Sequence, residues 1–296
     1  MKLEEIRCVG VIGAGQMGRG IAQVAAGAGY QVLMSDVDQA TAEAGKASID
    51  KQLARQVDKG RMSEDDKAAL LERLTAVGDL KRMGEAQIAI EAATENFDLK
   101  VKIFAAVDAA LGEEALLASN TSSISITKLA AATSRPERVM GMHFMNPVPV
   151  MKLCELVRGA QTAASTYEAV RGLAVKMGKT VITSEDHPGF LVNRILIPLL
   201  NEACFALQEG VGSAEDIDTG AKLGLNHPMG PLELSDLIGL DTVLAIAEVL
   251  YREIGDPKYR PPTTLRNYVA AGWLGRKTGR GFYRYDERGK RIEEGA

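Results

Sequence analysis

The chain has 296 residues, long enough for two domains, and 25% of them are charged against 46% hydrophobic, the balance of an ordinary globular protein. A net charge of −4 with acids and bases interspersed argues against a nucleic-acid groove or a polybasic membrane patch, and no apolar run reaches the roughly 20 residues of a membrane-spanning helix. The three cysteines, Cys8, Cys154 and Cys204, have neither metal-ligand spacing nor the pattern of a disulfide framework, which implies free thiols in a reducing compartment and no bound metal.

The opening MKLEEIRCVGVIG runs almost directly into a strand, so neither a signal nor a transit peptide is expected and the chain reads as cytoplasmic. Cys8–Ile12 is a short β-branched run, followed by glycines and an alanine-rich helix over residues 20–28 that Gly29 closes. Gln31–Ser35 makes a second strand. Such alternation implies right-handed βαβ units on a parallel sheet. A long helix over residues 39–57 ends at Lys59 and Gly60, and Ser63 with Asp66 has the spacing of a capping box for the next helix. Residues 87–92, 115–119 and 139–144 are further strands. Residues 150–157 alternate after a proline-containing turn and are expected to run antiparallel at the sheet edge. A boundary falls near residues 184–188, and beyond it the pattern is helical. Residues 188–208 form one helix, bent at Pro198. Ser213 with Asp216 caps another, and residues 231–254 supply one or two more. The expected architecture is α/β, a Rossmann-like domain over residues 1–186 with an inserted helical pair, joined to an all-α domain over residues 187–296.

The loop Gly13-Ala14-Gly15-Gln16-Met17-Gly18 matches G-x-G-x-x-G between a strand and a helix. The first glycine permits a tight turn, the second lets a pyrophosphate approach the backbone, and the third lets helix and strand pack closely. Asp36 ends the next strand, where a carboxylate accepts the ribose hydroxyls and repels a 2′-phosphate. The cofactor expected from these residues is NAD.

Exchanging a hydride with an alcohol carbon calls for a base that cycles protons near neutral pH, and histidine suits this. Of the three histidines, His187 and His227 each precede a proline in loop-like sequence. His143 instead lies at the end of an expected strand, where open α/β sheets place their ligands. On an extended segment Met151, Leu153, Glu155 and Val157 share one face, so Glu155 is a lone carboxylate among apolar residues and needs a partner such as His143. The alternative on spacing alone is an edge glutamate facing solvent and a packed core histidine. SNTSS, residues 119–123, offers hydroxyls either to a substrate oxygen or to a helix cap. Asn193 interrupts the apolar stripe of the helix that follows HPGFLVNR, as an oxyanion donor or as a tie between domains.

VGVIGAGQMGRGIA, EAATENFDLK, SNTSSISIT, GMHFMNPVPVMKLCELV, DHPGFLVNRI, AKLGLNHPMGPLELSDLIGLD and GRKTGRGFY occur in that order. Together they resemble the L-3-hydroxyacyl-CoA dehydrogenase family over essentially the whole chain, most of all its short bacterial members that act on 3-hydroxybutyryl-CoA. The resemblance implies reversible NAD-dependent oxidation of the 3-hydroxyl of an acyl-CoA thioester, in a homodimer paired through the helical domain. It implies that His143 is the general base, that Glu155 holds and polarises it, and that Ser122 and Asn193 bind substrate oxygens. On the cofactor side it implies Asp36, Glu95, Lys100, Asn146 and Lys277, with Ser122 at the junction with substrate, and it places Lys59 against the CoA moiety. Two other readings remain at this point: a dehydrogenase of a free hydroxy acid such as a sugar acid, and an NAD-binding structural protein without activity.

Overall fold

β-Branched and small residues, buried on both faces, build the centre of the sheet: Val9 and Val11 of β1 (Cys8–Ile12) and Ile88 and Ile90 of β4 (Ile88–Glu91) are wholly inaccessible. A computed structural model describes residues 1–292 of the chain, which divides into two compact units, one running from Met1 to His187 and a second from Pro188 onward.

The first unit carries one eight-stranded sheet. After β1 come α1 (Gln16–Gly27), β2 (Gln31–Ser35), α2 (Gln39–Asp58), α3 (Glu64–Glu72) and β3 (Leu74–Val77). Then follow β4, α4 (Phe97–Ala110), β5 (Leu116–Ser119), α5 (Ile126–Ala130), β6 (Val139–Phe144), β7 (Leu153–Arg158), α6 (Ala164–Lys176) and β8 (Thr180–Glu185). The strand order is β3-β2-β1-β4-β5-β6-β7-β8, all parallel except the antiparallel pairing of β6 with β7. Local caps start the helices: Asp38 accepts from the Thr41 amide, Asn96 from that of Leu99, and Ser63 from that of Asp66.

The antiparallel direction of β7 is as expected, because residues 145–152 are too few for the crossover of a dozen or more residues that a parallel neighbour needs. Its place in the sheet is not. β8, absent from the sequence reading, lies outside β7 in parallel register, so β7 is an interior strand. Met151 falls before the strand, in a connection that the buried Lys179 holds by donating to the carbonyls of Val148 and Met151. β3 is the other strand the reading missed.

The second unit is helical: α7 (Val192–Gln208), α8 (Ala214–Gly224), α9 (Pro231–Ile238), α10 (Leu240–Ile254) and α11 (Thr263–Ala270). Residues 188–191 form a turn instead of the first helical turn, with Phe190 at a φ of 50°, so α7 begins later than periodicity suggests. Gly239, at a φ of 102°, separates α9 from α10. Two buried aspartates organise this unit. Asp218 accepts from the amides of Leu232 and Glu233 and from the Tyr283 hydroxyl, while Asp236 accepts from the amides of Phe282 and Tyr283 and the Tyr285 hydroxyl. GRGFYRY thus works as a strap fastened to two helices. Burial pushes the Asp236 carboxyl up to about 6.

Burial also sets the thiol chemistry. It pushes Cys154 and Cys204 up to about 12, and with Glu85 nearby it pushes Cys8 up to about 11. Native protein at about pH 8 is therefore expected to react slowly with a thiol reagent, and all three thiols are expected to react at once after denaturation. Fast labelling of native Cys154 or Cys204 would contradict this packing.

Candidate active site

The nucleotide loop follows from close approach of backbone. Gly13, at a φ of 105°, adopts a conformation that side chains disfavour, and a Cβ on Gly18 would lie 1.8 Å from the Gly13 carbonyl oxygen. A Cβ on Gly15, by contrast, would meet nothing within 4 Å, so open space borders the N-terminus of α1. Asp36 braces the loop: one carboxylate oxygen accepts from the Ala14 amide at 2.5 Å and the other from that of Val37 at 2.7 Å. Exposed backbone amides at a helix start and a carboxylate at the end of the neighbouring strand fit a dinucleotide. Gln16 reaches Asn146, donating to its side-chain oxygen at 2.9 Å, which ties the same loop to the end of β6.

His143 and Glu155 are direct cross-strand partners of the antiparallel β6–β7 pair. Such partners face the same side of a sheet, and here Nδ1 of His143 lies 3.0 Å from Oε2 of Glu155. Glu155 is wholly inaccessible and His143 is 7% exposed. β8 covers the flank of β7, which removes the solvent-facing edge glutamate that spacing alone allowed. A carboxylate only accepts, so Nδ1 carries the hydrogen and the basicity of the neutral ring sits on Nε2.

Ser122 lies in the turn after β5. Its amide and hydroxyl, with those of Ser123 and the Thr121 hydroxyl, all donate to one oxygen of Glu95 at 2.6–3.2 Å. Burial alone would raise the Glu95 carboxyl, but the Lys100 charge and these donors outweigh it and hold it below the usual carboxylate range. Helix capping is the work of a different residue in this segment, Ser125, which accepts from the Lys128 amide at 3.2 Å. Asp186, at the end of β8, accepts from Ser125, Ile126 and Thr127 and so secures α5.

The remaining expected residues are placed less uniformly. Lys100 was expected to line the nucleotide site, yet it is 1% exposed and turned inward, drawn by the buried carboxylate of Glu91 at 2.6 Å. Lys59 is exposed at the C-terminal end of α2. In the second unit Asn193 is buried in the first turn of α7, and Lys277 donates to both oxygens of Asp241, at 2.6 and 2.7 Å. Glu91 and Asp186 were missed. The sequence signal for Glu91 was a charged residue near the end of an expected strand, while Asp186 falls in the boundary after a strand that the sequence does not mark.

Residues 8–187 match the NAD binding domain of 3-hydroxyacyl-CoA dehydrogenase and residues 189–285 its C-terminal domain. The chain belongs to the 3-hydroxyacyl-CoA dehydrogenase family. It is 55% identical over 280 residues to the 3-hydroxybutyryl-CoA dehydrogenase of Bradyrhizobium diazoefficiens, covering 95% of this chain and 96% of that one. A probable 3-hydroxybutyryl-CoA dehydrogenase of Bacillus subtilis is 52% identical, over 96% and 99% of the two chains. Among solved structures, the (S)-3-hydroxybutyryl-CoA dehydrogenase of Ralstonia eutropha superposes with a TM-score of 0.93 at 54% identity, over 96% of this chain and 100% of that one. A more distant structure, at 30% identity and a TM-score of 0.75 over 96% and 92% of the chains, is an NAD-dependent dehydrogenase of a pyridine carboxylic acid. The N-terminal domain of this chain is accordingly an NAD binding domain with a Rossmann-like sheet.

Proposed function

We propose that this protein catalyses the reversible NAD-dependent oxidation of a short-chain 3-hydroxyacyl-CoA to the 3-oxoacyl-CoA, with 3-hydroxybutyryl-CoA and acetoacetyl-CoA as its substrate pair. The observation that carries the reading is the buried His143–Glu155 pair on an NAD binding domain of this family. In the direction of oxidation, Nε2 of His143 takes the proton of the 3-hydroxyl, and in reduction the imidazolium returns it to the nascent alkoxide. Glu155 fixes the tautomer and favours the imidazolium formed on the way. Ser122 and Asn193 hold the substrate oxygens, so that the reacting carbon is presented in one orientation. The Gly13–Gly18 loop and Asp36 hold NAD, and Glu95, Asn146 and Lys277 are its further contacts. Bound there, NAD supplies the hydride acceptor, and NADH the donor in reverse. Lys59 meets the CoA moiety.

The protein acts as a cytoplasmic homodimer joined through the helical domain. Ile195 and Leu199, one turn apart on α7, are 66% and 37% exposed, and Val211 and Leu223 are more exposed still, an apolar surface of the kind a subunit interface covers.

The decisive assay follows NADH absorbance with acetoacetyl-CoA in one cuvette and free acetoacetate in another. Decay with the thioester alone is the expected result. Decay with the free acid would favour the free-acid chemistry of the pyridine-carboxylate relative, and no decay with either would leave a binding protein. His143→Gln should lower turnover by roughly 10²-fold or more with little change in NADH affinity, and near-normal turnover would remove His143 from the role of base. Glu155→Gln should lower turnover, because an amide does not hold the ring and its Nδ1 hydrogen as a carboxylate does. Unchanged turnover in that variant would leave Glu155 a packing role only.

A further inference from the structure

EAATENFDLK contains two glutamates, and the resemblance gives a role only to the second. The first, Glu91, is the last residue of β4, 1% exposed, with Ile12 of β1 and Ser119 of β5 as its register partners. A carboxylate buried between parallel strands is costly unless its lone pairs are filled. Here they are: Lys100 Nζ, Ser119 Oγ and the Ala93 amide each donate to it at 2.6 Å.

Two routes lead from this carboxylate to the turn that carries Ser122. Along the first, the Ser119 hydroxyl that donates to Glu91 accepts from the Thr121 amide at 3.2 Å. The second runs through Lys100, whose ammonium has three hydrogens. It donates to Glu91 Oε1 and to the Ala93 carbonyl at 3.2 Å, and its charge lies 3.5 Å from Glu95 Oε2 as an ion pair. Glu95 in turn gathers Thr121, Ser122 and Ser123 on its other oxygen. The turn is therefore held at its start by Ser119 and at its middle by Glu95, and both lines end on one buried carboxylate.

We infer that Glu91 is a positioning residue for the reaction: through Ser119 on one line and Lys100 and Glu95 on the other, it fixes the place of the Ser122 hydroxyl. The inference rests on the proposal that Ser122 holds a substrate oxygen. It also gives Lys100 a different part from direct cofactor contact, that of the charged link between two glutamates. A displacement of about 1 Å at a positioning group can cost on the order of 10²-fold in rate, so a residue that touches no ligand can carry a large kinetic effect.

The test compares Glu91→Gln, which leaves Lys100 without its buried counter-ion, with the double variant Glu91→Gln/Lys100→Met, which removes the buried pair together and leaves Glu95 to its hydroxyl and amide donors. Each is read by melting temperature, by kcat and by KM for NADH with acetoacetyl-CoA, and by hydrogen exchange of the peptide spanning residues 120–124. Melting temperature should fall in the single variant and recover in the double. In both, kcat should stay at least about tenfold low while KM for NADH moves less than about threefold, and the peptide should exchange at least about tenfold faster while peptides of β1 and β2 are unchanged. If kcat recovers together with melting temperature, the pair is structural and the inference falls. It falls equally if residues 120–124 stay protected, or if KM for NADH rises while kcat is kept, which would make Lys100 a cofactor contact. Wild-type protein inactive on the thioester would overturn the parent reading instead, and the exchange data would still judge the anchor.

Discussion

The opposition of His143 and Glu155 across an antiparallel strand pair is the constraint on which the site depends. A hydrogen bond between side chains on flexible loops would hold an imidazole loosely. Here both groups are set by backbone register, and a shift of one residue would send the two side chains to opposite faces. The single reversal of direction in an otherwise parallel sheet is what makes them direct neighbours. The parallel β8 outside β7 then does the second part, removing Glu155 from water so that Oε2 meets the ring and is not shared with solvent.

The other chemistry-bearing residues of the first unit follow the same logic of strand ends. The glycine loop follows β1, Asp36 follows β2, Glu91 ends β4, and the turn with Ser122 follows β5. In a parallel sheet these ends lie along one rim, where ligands of open α/β folds bind. Polar groups crowded there would repel or lose solvation unless each had a partner, and the pairing is extensive: Asp36 with the Ala14 amide, Glu91 with Lys100, Glu95 with three hydroxyls, Gln16 with Asn146. The second unit relies on a related device, with Asp218 and Asp236 buried so that distant amides and tyrosine hydroxyls converge on them.

Much of this was legible in the sequence where the signal is local. Short apolar runs marked five of the eight strands at nearly their observed bounds, the glycine spacing marked the nucleotide loop, and Ser213 with Asp216 does form a reciprocal capping box. The antiparallel turn of β7 was readable from the proline and the short connection. β3 and β8 were not. Leu74–Val77 follows a helix with no glycine or proline between the two, and Thr180–Glu185 is mostly polar and merges into the boundary before Pro188. Without β8, β7 reads as an edge strand, and a solvent-facing Glu155 stays open as an alternative to its pairing with His143. The pairing of Lys100 was not legible for a different reason: its partner Glu91 sits inside an apolar run and is fixed by contacts with Ser119 and Ala93 that no periodicity reveals. Asp186 and Asp236 escaped for the same cause, since the amides they accept from lie 46 to 60 positions away.

The arrangement makes one demand that can be seen directly. In ¹⁵N-labelled protein with only three histidines to assign, imidazole nitrogen shifts report which nitrogen of His143 carries hydrogen in the neutral ring. A carboxylate at Nδ1 requires the hydrogen there, with Nε2 bare and basic toward the proton it is proposed to take. That tautomer, lost in Glu155→Gln, is the predicted result. A neutral His143 protonated on Nε2 in the wild type would contradict the account at its centre, because the nitrogen needed for chemistry would then already be occupied.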